Sequence, residues 1–179
     1  MRVVAGSSRG VRLTAPPGTS TRPTSDRAKE SMMNSVQSHV DLDGCRVADL
    51  FCGSGSLGIE ALSRGAGSCV FVDADRAAIE ATAANLTRTG LDHGATVVRG
   101  DVLGWLVDMA ECDLVLMDPP YSFDDWATIF RALRSDWAVT ESDRELGVPD
   151  GWDLRRGRRH GATWVQLLSR READAAPAG

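Results

Sequence analysis

Short unbroken apolar runs alternate along this chain with stretches whose apolar positions recur every three or four residues. The runs predict strands, and the longer period predicts helices. Arg46-Val47-Ala48-Asp49-Leu50-Phe51 is the first strand, followed by a glycine-rich turn and a helix from Leu57 to Arg64 that Gly65 stops. Ser68–Asp73 is a second strand, and an Ala-rich helix from Arg76 to Arg88 ends at Gly90. Thr96–Val98, Asp113–Asp118 and Trp137–Thr140 continue the series, with helices over Val102–Ala110 and Asp124–Arg134 between them. Residues 152–168 lack a helical period and read as two antiparallel strands. Strands alternating with helices predict a mostly parallel seven-stranded α/β sheet with helices on both faces. The solid apolar strands fit, because the central strands of such sheets are buried on both sides.

The first 40 residues follow another pattern. Residues 2–5 and 11–14 are short and β-prone around Gly6–Gly10, which predicts a hairpin. A proline-rich loop follows, and Thr24-Ser25-Asp26 supplies capping chemistry for a helix to about His39. The expected organisation is an N-terminal hairpin and helix over 1–40, an α/β domain over 41–170, and a disordered Ala/Asp/Pro-rich tail over 171–179.

With 179 residues and 42% hydrophobic content, the chain can bury a core without disulfide or metal staples. No apolar run approaches the 18 or so residues of a membrane helix, and the start of the chain is too poor in apolar residues for a secretory signal. The expected compartment is the cytoplasm. Cys45, Cys52, Cys69 and Cys112 form no CxxC pair and read as reduced packing groups, so no metal is expected. The net charge of −5 is uneven. Residues 1–30 hold six basic groups against two acids, a net of +4, which leaves −9 on the rest. A second basic cluster is Arg155-Arg156-Gly157-Arg158-Arg159. Taken alone, such clusters read as solvated surface, although a local basic face can hold nucleic acid because charges beyond about 8 Å are screened.

In parallel sheets ligands bind at the carboxyl ends of the strands, so the strand ends carry the candidate chemistry. Gly53-Ser54-Gly55-Ser56-Leu57-Gly58 is a G-x-G-x-x-G between strand and helix, and Asp73 ends the second strand 20 residues after Gly53. Glycines admit a ligand to the backbone, and the carboxylate can accept from both hydroxyls of a ribose. At this stage NAD and S-adenosylmethionine both fit, since each carries an adenosine. The fourth strand separates them. It ends Asp118-Pro119-Pro120-Tyr121. Prolines fix the backbone and leave carbonyls free. Asp118 and the Pro119 carbonyl can accept two hydrogen bonds from one exocyclic amine. Tyr121, the only tyrosine, can stack on a planar base. Two acceptors on an aromatic amine favour pyramidal nitrogen and aim its lone pair at a methyl donor.

These residues resemble the amino-methylating, S-adenosylmethionine-dependent methyltransferases, and more narrowly the bacterial RsmD family, which methylates guanine N2 in small-subunit (16S) ribosomal RNA. The resemblance rests on Thr21-Arg22-Pro23-Thr24-Ser25-Asp26-Arg27, on residues 49–66 (DLFCGSGSLGIEALSRGA) and on 113–121 (DLVLMDPPY), with Gly6, Arg9-Gly10, Glu141 and Gly161-Ala162-Thr163 also fitting. It implies a Rossmann-like class I methyltransferase fold. It implies that Asp49, Phe51, Gly53, Ser54 and Gly55 shape the methionine end of a cofactor pocket, that Asp73 holds the ribose, and that Ala74, Asp101 and Val102 line the adenine. Asp101 has a second reading as the N-cap of the following helix. Asp118, Pro119, Pro120 and Tyr121 are the implied catalytic residues. Arg9, Arg12 and Arg22 are the candidate RNA contacts, and Arg22 could instead serve the fold. The implied substrate is an assembled or partly assembled small ribosomal subunit, met by a monomer. Asp73 stands where the family usually has Glu, and 142–153 aligns poorly.

Three other readings remain open from the sequence. A DNA adenine N6-methyltransferase shares the Asp-Pro-Pro-Tyr motif but usually carries a target-recognition region for which few residues are spare. An NAD-dependent oxidoreductase leaves Asp118–Tyr121 without a role. A non-catalytic RNA-binding module leaves the complete motif unexplained.

Overall fold

The computed structural model describes residues 1–17 and 26–171, the side chains of 26–28 excepted. Its elements are α1 (Asp26–Gln37), β1 (Arg46–Leu50), α2 (Ser56–Ser63), β2 (Ser68–Asp73), α3 (Arg76–Thr89), β3 (Ala95–Arg99), α4 (Val102–Leu106), β4 (Cys112–Met117), α5 (Trp126–Ala132), β5 (Ser135–Ser142), β6 (Trp152–His160) and β7 (Thr163–Arg170). One seven-stranded sheet has the order β3-β2-β1-β4-β5-β7-β6. The first five strands run parallel, and β7 pairs antiparallel with both β5 and β6. β1 has β2 on one side and β4 on the other. The strand order reverses there, which opens a crevice at the carboxyl ends of β1 and β4.

Alternation along the strands divides the core. Val47, Phe71, Leu114, Leu116 and Val139 pack with α1, α2 and α3, whereas Ala48, Leu50, Val72, Val115 and Ala138 pack with α4 and α5. Both faces are covered, which is why the central strands read as unbroken apolar runs.

The helix ends follow local chemistry. Asp75 caps α3 by accepting from the N–H of Ala77, and Gly90 ends it in the left-handed conformation. α4 is shorter than its pattern predicts. Past Leu106 the bonds change to i→i−3, from Asp108 to Trp105 and from Met109 to Leu106, and this tight turn brings buried Met109 back to the core. α5 likewise stops at Ala132, because Leu133 turns extended into a β5 that begins at Ser135.

The N-terminal hairpin reduces to one bridge, Arg2 with Arg12, and flanking bonds such as Val3 N–H to Val11 O. Its strength comes from the body. The carboxylate of Glu60, wholly buried in α2, accepts from the N–H groups of Val4 (2.8 Å) and Ala5 (3.0 Å) and from Arg64 Nε (2.9 Å). Lys29, the sole lysine, is equally buried; its Nζ donates to the Arg2 carbonyl and lies 3.7 Å from Glu60. Val3, Leu13, Met32, Met33 and Val36 join the same core cluster as α2. The expected disordered tail from Glu172 lies outside the described residues.

Candidate active site

A cleft of about 980 Å³ opens at the carboxyl ends of β1, β2 and β4, a size suited to a nucleoside-bearing ligand together with part of a second molecule. Its wall includes Asp49, Phe51, Gly53, Ser54, Asp73, Ala74, Asp101, Val102 and the Asp118–Tyr121 run. The structure therefore gathers most of the sequence-predicted site residues at one place. Gly55 does not line the cleft. Its φ is 74°, and a Cβ there would meet Thr82 Cγ2 at 2.8 Å, so the glycine serves the turn and its packing on α3. Gly58, the third glycine, brings α2 against β2: a Cβ would meet the Phe71 ring at 2.4 Å.

The loop is held from below by α3. Thr82 Oγ1 donates to the Gly53 carbonyl at 3.0 Å. Asn85 Nδ2 donates to the carbonyls of Ser54 and Thr14, both at 2.9 Å, and its Oδ1 accepts from the Thr14 N–H. This clamp brings Met1, Ala15 and Pro16 to the cleft wall, a contribution the sequence reading missed. The available signal was two polar residues, at i and i+3, on the otherwise Ala-rich packing face of α3. Phe51, just past β1, is the one non-glycine described residue with positive φ (59°), and its ring packs tilted against Phe123, centroids 5.1 Å apart, also in the wall. A bulky residue in that conformation stores strain that the surrounding contacts must hold.

The carboxylates have distinct settings. Asp49 is 1% exposed and its Oδ2 accepts from the Gly58 N–H at 2.8 Å. Burial pushes its carboxyl well above the ordinary value, the Gly58 bond opposes this, and the nearby charges of Asp118 and Asp73 add to it. Asp73 accepts from the N–H of Gly53 and of Asp75, one at each oxygen, both at 2.9 Å. Each oxygen keeps a further lone-pair site for a ligand hydroxyl. Asp101 caps α4, with Oδ2 accepting from the Gly104 N–H at 2.8 Å, and still lines the cleft. Both of its sequence readings thus have a place in the geometry. Glu141 is the penultimate residue of β5, one past Thr140, the register partner of Met117; it is buried and lies in the same wall as Asp118. Cys52, also in the wall, has its thiol pushed up by burial and is a protonated packing group rather than a nucleophile.

Six carboxylates line this cleft, and no lysine, arginine or histidine among the described residues does. Such a wall favours a cation-bearing ligand and disfavours the dianionic pyrophosphate of NAD. No group of described residues has the make-up of a metal site.

The candidate RNA contacts lie elsewhere. Ser8 Oγ donates to the Thr89 carbonyl at the last residue of α3, and the Ser7 N–H donates to the Ser63 carbonyl at the last residue of α2. The hairpin tip with Arg9 is therefore at the end of the sheet opposite the cleft, about 20 Å away along the 14 residues of α3. The Arg12 carbonyl accepts from Arg88 in the last turn of α3. Arg22 lies outside the described residues. At the cleft rim stands Tyr121, 49% exposed, its hydroxyl 3.1 Å from Thr163 Oγ1 at the start of β7.

A crevice at the β1–β4 switch point, an acidic cofactor wall and an Asp-Pro-Pro-Tyr strand tip define a class I methyltransferase. The family described as Conserved hypothetical protein 95 matches residues 1–169. The chain is 38% identical to the Bacillus subtilis protein YlbH over 185 residues, which span 96% of this chain and all of that one. It is 31% identical to ribosomal RNA small subunit methyltransferase D of Haemophilus influenzae, over 93% of this chain and 92% of that one. Among solved structures, the Escherichia coli protein yhhF superposes with a TM-score of 0.84 at 29% identity, covering 97% of this chain and 99% of that one. The chain belongs to the RsmD family and is a methyltransferase. No helix among the described residues is long and apolar enough to cross a membrane.

Proposed function

We propose that this enzyme moves a methyl group from S-adenosylmethionine to the exocyclic N2 of a guanine in small-subunit (16S) ribosomal RNA, acting as a monomer on an assembled or partly assembled subunit. The observation that carries the reading is the opening of Asp118-Pro119-Pro120-Tyr121 into the same acidic cleft as Asp49, Asp73 and Asp101. Two relatives named ribosomal RNA small subunit methyltransferase D support the substrate class.

The cleft's chemistry fits the cofactor. Asp73, oriented by the Gly53 and Asp75 N–H groups, is the acceptor for ribose hydroxyls. Ala74, Asp101 and Val102 are the adenine wall. Asp49, with Phe51, Gly53 and Ser54, offers a buried carboxyl group to the cationic methionine end. When bound, S-adenosylmethionine supplies an electrophilic methyl on a sulfonium sulfur. The residues of this chain do the rest. Tyr121 stacks on the guanine, and Asp118 with the Pro119 carbonyl accepts the two amine hydrogens. That disfavours delocalisation of the nitrogen lone pair into the ring and frees it for in-line attack. The nitrogen lone pair would form the new N–C bond, and the sulfonium would supply a leaving group that departs as a neutral thioether with the electron pair of the broken C–S bond. The resulting ammonium is acidic, so its proton leaves to water or to Asp118, and no strong base is needed.

The target is a base in a loop or one splayed from its stack, because N2 of a paired guanine is engaged. Arg9 and Arg12 bear on RNA outside the cleft and position it without reading sequence, and Arg22 is a further candidate RNA contact. Mapping N2-methylguanine in 16S rRNA from cells with and without this protein tests the proposal. One modified guanine should vanish on deletion and return with the wild-type gene. An unchanged map would overturn the assignment.

A further inference from the structure

β6 is one edge of the sheet, and its strand of alternating faces carries the second basic cluster. Arg156, Arg158 and His160 occupy alternate positions and line a shallow groove against α1, together with Ser31 and Ser35. Alternate positions on a strand are about 7 Å apart and point the same way, so the three form a straight row of two guanidinium groups and an imidazole.

Their neighbours on the other face are already engaged. Arg155 donates to Ser169 Oγ and pairs with Asp153, and Arg159 donates to the Gly161 carbonyl. Among the described residues, Arg156, Arg158 and His160 make no side-chain hydrogen bond or salt bridge, and the groove they line includes no carboxylate. Ser35 adds a second signal: its hydroxyl is buried in the groove and makes no hydrogen bond. A groove of unneutralised cations with an unsatisfied hydroxyl has the chemistry of a phosphate site.

The row also leads to the cleft. His160 pairs with Thr163 across the β6–β7 turn, and Thr163 Oγ1 meets the hydroxyl of Tyr121. A strand leaving a base at Tyr121 would cross Thr163 and run down β6.

We propose that the groove between α1 and β6 is a phosphate track for the RNA strand flanking the methylated base, with Arg156 and Arg158 as its cations and His160 and Ser35 as hydrogen-bond donors. The inference rests on the methylation reading above and names the surface through which that substrate is held. The acidic remainder of the chain repels RNA, so a local cationic row with no internal partner is the region suited to attract it. A basic edge strand has another use, which is to block edge-to-edge pairing with a second sheet, and the test separates the two.

The experiment uses the full chain and unmethylated small ribosomal subunits. Subunit binding is followed by filter retention across a potassium chloride series, and methyl transfer is followed by steady-state kinetics. In Arg156→Gln/Arg158→Gln the log–log salt slope should become shallower by about 1.4, the value for two phosphate contacts to a single strand. KM for subunits should rise at least fivefold while kcat and S-adenosylhomocysteine affinity hold within twofold. Arg156→Lys/Arg158→Lys should recover most of the slope, because point charges suffice for phosphate. Both variants should melt close to wild type. If wild type methylates subunits while the Gln pair keeps the wild-type slope and KM, the track is wrong and the methylation reading stands. If the Gln pair keeps its slope but self-associates, the row guards the edge and the track is again wrong. If wild type does not methylate subunits at all, the methylation reading fails and this inference fails with it.

Discussion

The carboxylate of Asp73 accepts the backbone N–H of Gly53 at 2.9 Å, joining the end of β2 to the glycine loop after β1. One side chain thus sets the loop's conformation and presents its remaining lone pairs to the cleft. Asp73→Ala should weaken binding of S-adenosylhomocysteine by about 1–3 kcal/mol, the cost of unpaired hydroxyls, or roughly five- to 150-fold. Isothermal calorimetry reads this directly, and unchanged affinity would remove Asp73 from the site.

Asp49 carries a pH signature. Burial raises its carboxyl well above the ordinary 3.8, so the folded state holds this proton more tightly than the unfolded chain. Between the ordinary and the raised value the native state binds more protons, and stability falls as pH rises through that window. Asp49→Asn keeps an acceptor for the Gly58 N–H and removes the charge. It should melt higher than wild type at neutral pH, with the gain fading toward pH 4, and should bind S-adenosylhomocysteine more weakly. Melting curves across pH check the first effect and calorimetry the second. A variant that melts lower at neutral pH contradicts the assignment.

The parallel sheet was legible because burial on both faces leaves unbroken apolar strands, and the cleft because its chemistry sits in contiguous motifs at strand ends. Gly53, Asp73 and Asp118 needed only that logic. What stayed hidden depends on partners distant in sequence. Asn85 and Thr82 look like ordinary polar positions on α3 until Thr14, Gly53 and Ser54 arrive beside them. Arg9 reads as a candidate RNA contact with no location, because composition cannot tell which end of the sheet a hairpin tip reaches. Lys29 carries no motif in the sequence, yet it is the buried counterpart of Glu60.

That pair predicts a stability defect remote from the chemistry. Glu60→Ala removes the buried carboxylate that faces Lys29 and Arg64 and frees the N–H groups of Val4 and Ala5. Breaking a buried pair from one side costs about 3–5 kcal/mol, or roughly 6–20 °C in melting temperature for a chain this long. Scanning calorimetry measures it, and a shift under about 2 °C would mean that the N-terminal segment is held by packing alone.

Tyr121 acts through its ring. Tyr121→Ala removes a stacking surface worth about 1–3 kcal/mol and should appear mainly as a raised KM for subunits. Tyr121→Phe keeps the ring, loses only the contact with Thr163 Oγ1, and should stay close to wild type. Equal defects in the two variants would shift the role from the ring to the hydroxyl.

The central claim is that Asp118 orients the guanine amine, and single-turnover methyl transfer to small subunits by Asp118→Ala tests it most directly. The residue follows the last strand position of β4 and lies at the cleft rather than in the core, so the fold and S-adenosylhomocysteine affinity should survive its loss. The rate constant should fall about a hundredfold to a thousandfold, as when one preorganised electrostatic partner is removed. A folded, cofactor-binding Asp118→Ala enzyme that transfers methyl groups at near wild-type rate would contradict the mechanism.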